Sequence, residues 1–181
     1  DGGTDTDTAV GAIAGKVYGT LQRCTVNGSV SGEYQVGGLA GIFDEGSYAW
    51  NCRVQDGIIF GSKWVGGLAG VVNQARINDC IVSGRISGNG QGACEKIGGL
   101  VGENRQGKID RAMISVAVSS PVKSSEVGRM VGNNSGPVEG CFYDQDIYCA
   151  WPMYGISTYE VAKSMEPVGL SRWELQRMGV F

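Results

Sequence analysis

Six cysteines and the absence of histidine limit the chemistry that this 181-residue chain can perform. Without histidine, the chain can form no Ser-His-Asp or Cys-His nucleophilic centre and no HExxH metallopeptidase site. No two cysteines have the C-x-x-C spacing that many zinc sites use. We therefore expect no zinc site, no resident cofactor and no histidine-dependent catalysis.

Four of the cysteines lie at equivalent positions of successive repeats, and we expect them to form a ladder of free thiols in the core. Its members are Cys24, Cys52, Cys80 and Cys141. The remaining repeat has Ala112 at this position, and a free cysteine packs as a similarly compact hydrophobe. Cys94 and Cys149 lie outside the ladder, and a disulfide between them is the alternative that the sequence leaves open.

Paired carboxylates are a second chemistry to consider, because many glycoside hydrolases use two Asp or Glu side chains. Asp79 is the acid that best fits a repeated position. The residues that align with it in the other repeats are Arg23, Asn51, Arg111 and Gly140. No column of acids exists there, so we interpret the carboxylates as solvated faces and turns.

Asp144 and Asp146 are weak candidates for calcium ligands, since two acids stand two residues apart. They do not match the twelve-residue calcium loop, which needs Gly at its sixth position and Glu at its twelfth. We predict no metal at this position and keep a hard-cation site as the alternative.

Aromatic residues are concentrated in the second repeat region, and none occurs between residues 65 and 141. The strand alternation predicts that Trp50 and Phe60 point outward, while Tyr34 and Trp64 precede equivalent strands. We predict an exposed aromatic strip of these four residues, which would stack on sugar rings or anchor a protein partner. Packing against a corner loop or another chain is the alternative.

Five internal repeats position these residues. A first motif reads VGAIAG, VGGLAG, VGGLAG, IGGLVG and VGRMVG, starting at residues 10, 36, 65, 97 and 127. A second motif, CTVNGSVSG in the first repeat, follows at a nearly fixed distance. Its apolar positions alternate with polar ones, which is the periodicity of a β-strand.

One repeat of about 30 residues cannot bury its apolar face alone, whereas stacked repeats form a continuous core. We therefore predict an all-β fold, a short parallel β-solenoid (β-helix) of about five coils, over residues 9–143. The 31 glycines are predicted to serve tight corners and positive φ angles between short strands.

The two ends of the chain lack the repeat pattern. Residues 1–8 are predicted to form an acidic tail, and residues 144–181 a small C-terminal cap. Two capping boxes, at Ser157 and Ser171, predict short helices near 158–165 and 172–178. We expect these helices to lie over the last coil.

The segments GGLAG, GGLAG and GGLVG, followed by apolar-x-x-Cys and V-x-G-x-[IV]-x-G stretches, resemble the GLUG-motif repeats. These repeats occur in bacterial extracellular and cell-surface proteins, some of them IgA-cleaving metallopeptidases. The resemblance covers roughly residues 9–165. It implies a β-solenoid with a secreted or surface location, and it names no catalytic residue.

The net charge of −3 disfavours a nucleic-acid partner, because phosphates are neutralised by clustered Lys and Arg. No apolar run approaches the roughly 20 residues that span a bilayer. We expect a non-enzymatic extracellular or cell-surface interaction or adhesion module, whose partner is a host or cell-surface glycan or protein. We also expect neighbouring domains in a larger chain. The alternative is a carbohydrate-active enzyme, or an accessory domain of a secreted peptidase or glycosidase.

Overall fold

The computed structural model describes residues 8–89, 94–121, 126–157 and 167–179. Within these ranges the chain forms four parallel β-sheets, which stack as a solenoid of about five coils. Each full coil contributes one strand to each sheet in the order A, B, C and D. The predicted fold class is confirmed.

Sheets A and B contain the first motif of every repeat. The strands of sheet A are β1 (Val10–Gly11), β5 (Tyr34–Gly37), β9 (Lys63–Gly66), β13 (Glu95–Gly98) and β17 (Val127–Gly128). The strands of sheet B are β2 (Ala14–Val17), β6 (Ala40–Phe43), β10 (Ala69–Asn73), β14 (Val101–Arg105), β18 (Val131–Asn134) and β21 (Tyr154–Ser157).

Sheets C and D contain the second half of every repeat. The strands of sheet C are β3 (Thr20–Gln22), β7 (Tyr48–Trp50), β11 (Arg76–Asn78), β15 (Lys108–Asp110) and β19 (Val138–Glu139). The strands of sheet D are β4 (Thr25–Ser31), β8 (Arg53–Gly61), β12 (Ile81–Gly88), β16 (Met113–Ser119), β20 (Phe142–Asp144) and β22 (Val168–Leu170).

Equivalent residues of the repeats stack directly on one another along the solenoid axis. In sheet C the stacked residues are Leu21, Ala49, Ile77, Ile109 and Val138. The turns between sheets A and B also stack on one another. In these turns the Leu39 N–H donates to the Leu68 carbonyl of the next coil over 2.9 Å. These columns form one hydrophobic core, in which most members from the second coil onward are almost fully buried.

Two asparagines continue a column of core side chains in sheet B, where earlier coils have Phe43 and Val72. The Asn104 amide donates to Asn134 Oδ1 over 2.8 Å and to the Gly107 carbonyl over 3.0 Å. Because both amides have hydrogen-bond partners, the core accepts them at low cost. Buried amides at these two positions were not predicted from the sequence.

The structure corrects the prediction that the glycines mainly serve positive φ angles at the corners of the coils. Residues with positive φ stack at the corner between sheets C and D, and most are polar: Arg23, Asn51, Asp79, Arg111 and Gly140. The paired and closing glycines of the first motif are not among the positive-φ residues of the described chain. They are required by close contact instead, since a methyl group on Gly70 would lie 2.6 Å from the Trp64 carbonyl oxygen.

The C-terminal segment differs from the predicted cap in two respects. Strand β21 pairs with β18 and strand β22 with β20, so this segment continues sheets B and D beyond the fifth coil. Helix α1 (Arg172–Arg177) confirms the helix predicted near 172–178. It does not lie over the last coil alone, because Leu175 belongs to a cluster with Ile81, Met113 and Phe142, which come from sheet D of the third, fourth and fifth coils. The helix predicted near 158–165 and the tail at 1–7 lie outside the described residues.

No helix in the described part of the chain is both long enough and apolar enough to cross a membrane.

Candidate functional site

The four aromatic residues of the predicted strip lie on three different sheets. Tyr34 and Trp64 belong to sheet A, Trp50 to sheet C and Phe60 to the end of strand β8 in sheet D. Within the described residues they are therefore separate features rather than one continuous strip.

Tyr34 and Trp64 form a stacked cluster with Lys96 on three successive coils. The two ring centroids are 6.3 Å apart, and the Lys96 ammonium lies 5.5 Å from the centroid of the Trp64 ring. A cation that close to an aromatic ring is attracted to it. Trp64 is thus half-buried between residues of the two neighbouring coils.

Trp50 lies instead beside Tyr48 on the outer face of sheet C. The two residues alternate with Ala49, which is fully buried in the core. Since successive side chains of a strand point to opposite faces, Tyr48 and Trp50 project outward together. Two residues of rise separate their backbone positions by about 6.6 Å along the strand.

Two rows of side chains cross this outer surface, which we call the sheet C face. The first row contains Thr20, Tyr48, Arg76 and Lys108. The second row contains Gln22, Trp50, Asn78 and Asp110. The register of the parallel strands fixes both rows, with about 4.8 Å between neighbouring residues of a row.

Two contiguous depressions open on the sheet C face, and both are lined by Tyr48 and Arg76. The larger has a volume of about 640 Å³ and is bounded by the loop at residues 44–47. The smaller has a volume of about 170 Å³ and reaches Asn78, Lys108 and Asp110. An aromatic ring, a guanidinium and an amide thus surround one concave surface.

The loop that walls the larger depression is anchored by Asp44. Its carboxylate accepts the Asn73 amide over 2.7 Å and pairs with the Lys16 ammonium over 2.8 Å. These hydrogen bonds, that of Lys16 first, lower the pKa of Asp44 to about 2. The anchor is therefore ionised throughout the neutral and mildly acidic range.

Charged groups at the other side of the face are tied to one another. Arg111 donates to both oxygens of Asp79, over 2.7 and 3.0 Å, and to Asp110 over 2.6 Å. The Trp50 indole N–H also donates to Asp79, over 3.1 Å. The Arg111 hydrogen bond, supported by that of Trp50, lowers the pKa of Asp79. This network fixes the indole and keeps the Asp79 carboxylate ionised.

Asp144 and Asp146, the calcium candidates, bind other parts of the chain. Asp144 is buried and accepts the Ser115 hydroxyl over 2.7 Å and the Arg172 guanidinium over 3.2 Å. Asp146 accepts the backbone N–H of Arg172 over 2.8 Å. Both acids therefore dock helix α1. The described ranges contain no group of three or more His, Cys, Asp or Glu side chains arranged to hold a metal ion.

The cysteines of the predicted ladder stack in one column beside the corner between sheets C and D. The carbonyl group of each of these cysteines accepts a hydrogen bond from a backbone N–H of the next coil. The N–H groups of Arg53, Ile81 and Met113 donate to Cys24, Cys52 and Cys80 in turn. Cys52, Cys80 and Cys141 are buried, and Cys24 is half-buried. Burial raises the pKa of the Cys141 thiol to about 12. All six cysteines are free thiols, including Cys94 and Cys149.

Sequence reasoning selected Trp50 but missed Tyr48 and Arg76. The signal for Tyr48 was present, because Ala49 belongs to a core column and both of its neighbours must then face outward. The same signal places Arg76 outward, because it precedes Ile77 of that column, but its position in the concave surface depends on the loop at 44–47.

The fold and this face define a parallel β-solenoid that presents a polar and aromatic surface on one of its sheets. Comparisons with protein-family models, with curated proteins and with solved structures find no match to the chain.

Proposed function

We propose that the chain is a non-enzymatic, extracellular or cell-surface interaction module that binds a glycan on the sheet C face. The observation that carries this proposal is the pair of outward aromatic residues, Tyr48 and Trp50, on one short strand beside a concave polar surface. Aromatic rings offer a flat apolar face, and nearby polar groups can bind hydroxyls.

The carboxylates of the face support a binding role over hydrolysis. Asp79 and Asp110 come from neighbouring coils, as two catalytic acids of a solenoid hydrolase would. Both are bridged by Arg111, and the pKa of Asp79 is lowered. A glycosidase needs one carboxylic acid that stays protonated near its working pH, and a shared guanidinium favours the opposite state.

The proposed location rests on the resemblance to GLUG-motif repeats of bacterial surface proteins. The glycine-leucine segments that carry this resemblance form the turn between sheets A and B in the second, third and fourth coils. We accordingly propose a bacterial surface or secreted protein, in which this solenoid accompanies other domains and contacts a host or cell-surface glycan.

A glycan array tests the proposal. We expect the wild-type chain to bind a limited set of glycans and Tyr48→Ala to lose at least about tenfold in affinity, since one aromatic contact is removed. Tyr148→Ala is the matched control, because this tyrosine is 87% exposed and lies outside the face. An array without signal, or an equal loss in both variants, would contradict the proposal.

A further inference from the structure

Arg76 is the unbalanced charge of the sheet C face. It stands between Tyr48 and Lys108 in the first row of the face, and its side chain is exposed. Among the described residues its guanidinium forms no ion pair. By contrast, Lys108 pairs with Glu139 over 2.8 Å, and Arg111 pairs with two acids.

The surroundings of Arg76 leave its charge available to a ligand. Its neighbour Lys108 is also cationic, and the Glu139 hydrogen bond raises the pKa of Lys108, so that this ammonium stays charged. Asp110, which lines the smaller depression, is already bound to Arg111 over 2.6 Å. Glu45 also lines the larger depression and is the acid that would oppose an anionic ligand there.

We infer that the glycan of the sheet C face carries an anionic substituent, which Arg76 binds while the sugar ring lies against Tyr48. A guanidinium presents two parallel N–H groups that match the oxygens of a carboxylate or a sulfate. Both depressions meet at Arg76, so a sugar in either one can reach it. This inference rests on the proposed function and adds the class of sugar.

Titration calorimetry with matched oligosaccharides tests the inference. The probes are a hexuronate oligosaccharide with its neutral methyl ester, and one oligosaccharide in sulfated and unsulfated forms. We expect each acidic probe that binds to bind at least about tenfold more tightly than its neutral counterpart, because hydrogen bonds to a charged group are the stronger ones. The stronger of the two acidic probes identifies the substituent as a carboxylate or a sulfate.

Three variants assign the effect to this residue. Arg76→Gln is expected to abolish the preference, so that the acidic and neutral forms of a probe bind with equal affinity. Arg85→Gln, an exposed arginine on sheet D, is the matched control and should keep the preference. Glu45→Gln should increase the affinity for the acidic probe, since it removes a like charge.

The outcomes separate this inference from the proposed function. Equal affinity for acidic and neutral probes, with binding still dependent on Tyr48, would overturn the inference and leave the proposed function in place. An equal effect of Arg76→Gln and Arg85→Gln would also overturn it. If none of the four probes binds while the array detects other glycans, the inference falls; if neither experiment detects binding, both proposals fall.

Discussion

Single residues set how closely successive coils and sheets approach. Left-handed backbone at the corner between sheets C and D is carried mostly by polar residues rather than by glycine. The closing glycines of the first motif have another role, because they lie where strands of sheets A and B touch backbone to backbone. Beside Gly70, for example, the Val36 nitrogen would lie 2.7 Å from an added methyl carbon.

At this scale we predict that Gly70→Ala is strongly destabilising. The added methyl group would press on backbone atoms of Trp64 and Val36, which cannot rotate away as a side chain does. We expect a loss of about 3 kcal/mol or more in the free energy of unfolding, at the upper end for overpacked sites. Urea denaturation followed by circular dichroism measures it.

Gly19→Ala is the control for this prediction, since an added methyl group there would meet no atom within 4 Å. Its effect should stay within about 0.5 kcal/mol, as for most surface substitutions. A similar midpoint for both variants would show that contact at Gly70 is not what requires glycine.

Helix α1 shows how one short element depends on the sheet beneath it. It has six residues and a complete capping box, in which Ser171 and Glu174 bond each other's backbone N–H groups. Isolated helices of this length are unstable in water, so packing must hold it. Leu175 supplies this packing as the fully buried residue of a small cluster on sheet D, and Arg172 adds the contact with Asp144.

We therefore predict that Leu175→Ala releases helix α1 while the solenoid stays folded. Truncation of a buried leucine costs about 2–5 kcal/mol, and here the loss falls on a cluster separate from the main core. Hydrogen exchange of the helix amides should accelerate by at least about tenfold, with exchange in sheet B unchanged. Gln176→Ala, on the exposed side of the helix, should leave exchange nearly unaltered, and an equal acceleration in both variants would contradict the role of Leu175.

The whole molecule is a stack in which each coil is buried by its neighbours. Core side chains of the first coil, such as Leu21 and Val26, are only partly buried, whereas Ile77 and Val82 at the same positions of the third coil are fully buried. The reason is that the first coil pairs with another described coil on one side only. The cysteine column follows the same rule, since Cys24 is half-buried and Cys80 is buried.

Thiol titration tests this arrangement. In the native protein we expect Cys24 and Cys149 to react readily with an alkylating reagent, while Cys52, Cys80, Cys94 and Cys141 react slowly. Burial limits access, and it also keeps the Cys141 thiol protonated by raising its pKa to about 12. Mass spectrometry of the alkylated peptides identifies the sites.

Under denaturing, non-reducing conditions all six thiols should react, because none is in a disulfide. In the native state, the variant Cys24→Ser should show one rapidly reacting thiol instead of two, with the number of slowly reacting thiols unchanged. Fewer than four reactive thiols after denaturation would contradict the ladder.

The repeated pattern of the sequence determined the architecture. Two phased motifs recur five times, and each apolar position of a repeat becomes a column of the core because a solenoid places equivalent residues one above another. The C-terminal helix could also be predicted from the sequence, because its capping box is a local signal. These features depend on short-range or strictly periodic information, which a single sequence contains.

Only the tertiary structure decided which exposed residues meet. The residues of the predicted aromatic strip lie on three sheets, while Tyr48, Trp50 and Arg76 lie together on sheet C. The acids at 144 and 146 bind helix α1. The closing glycines are required by close contact between strands rather than by a left-handed backbone at a corner. The physical reason is that periodicity fixes the height of a residue along the axis and its inward or outward direction. How far the chain bends between sheets decides which residues lie next to it across a corner. The same bends decide which loops border a depression.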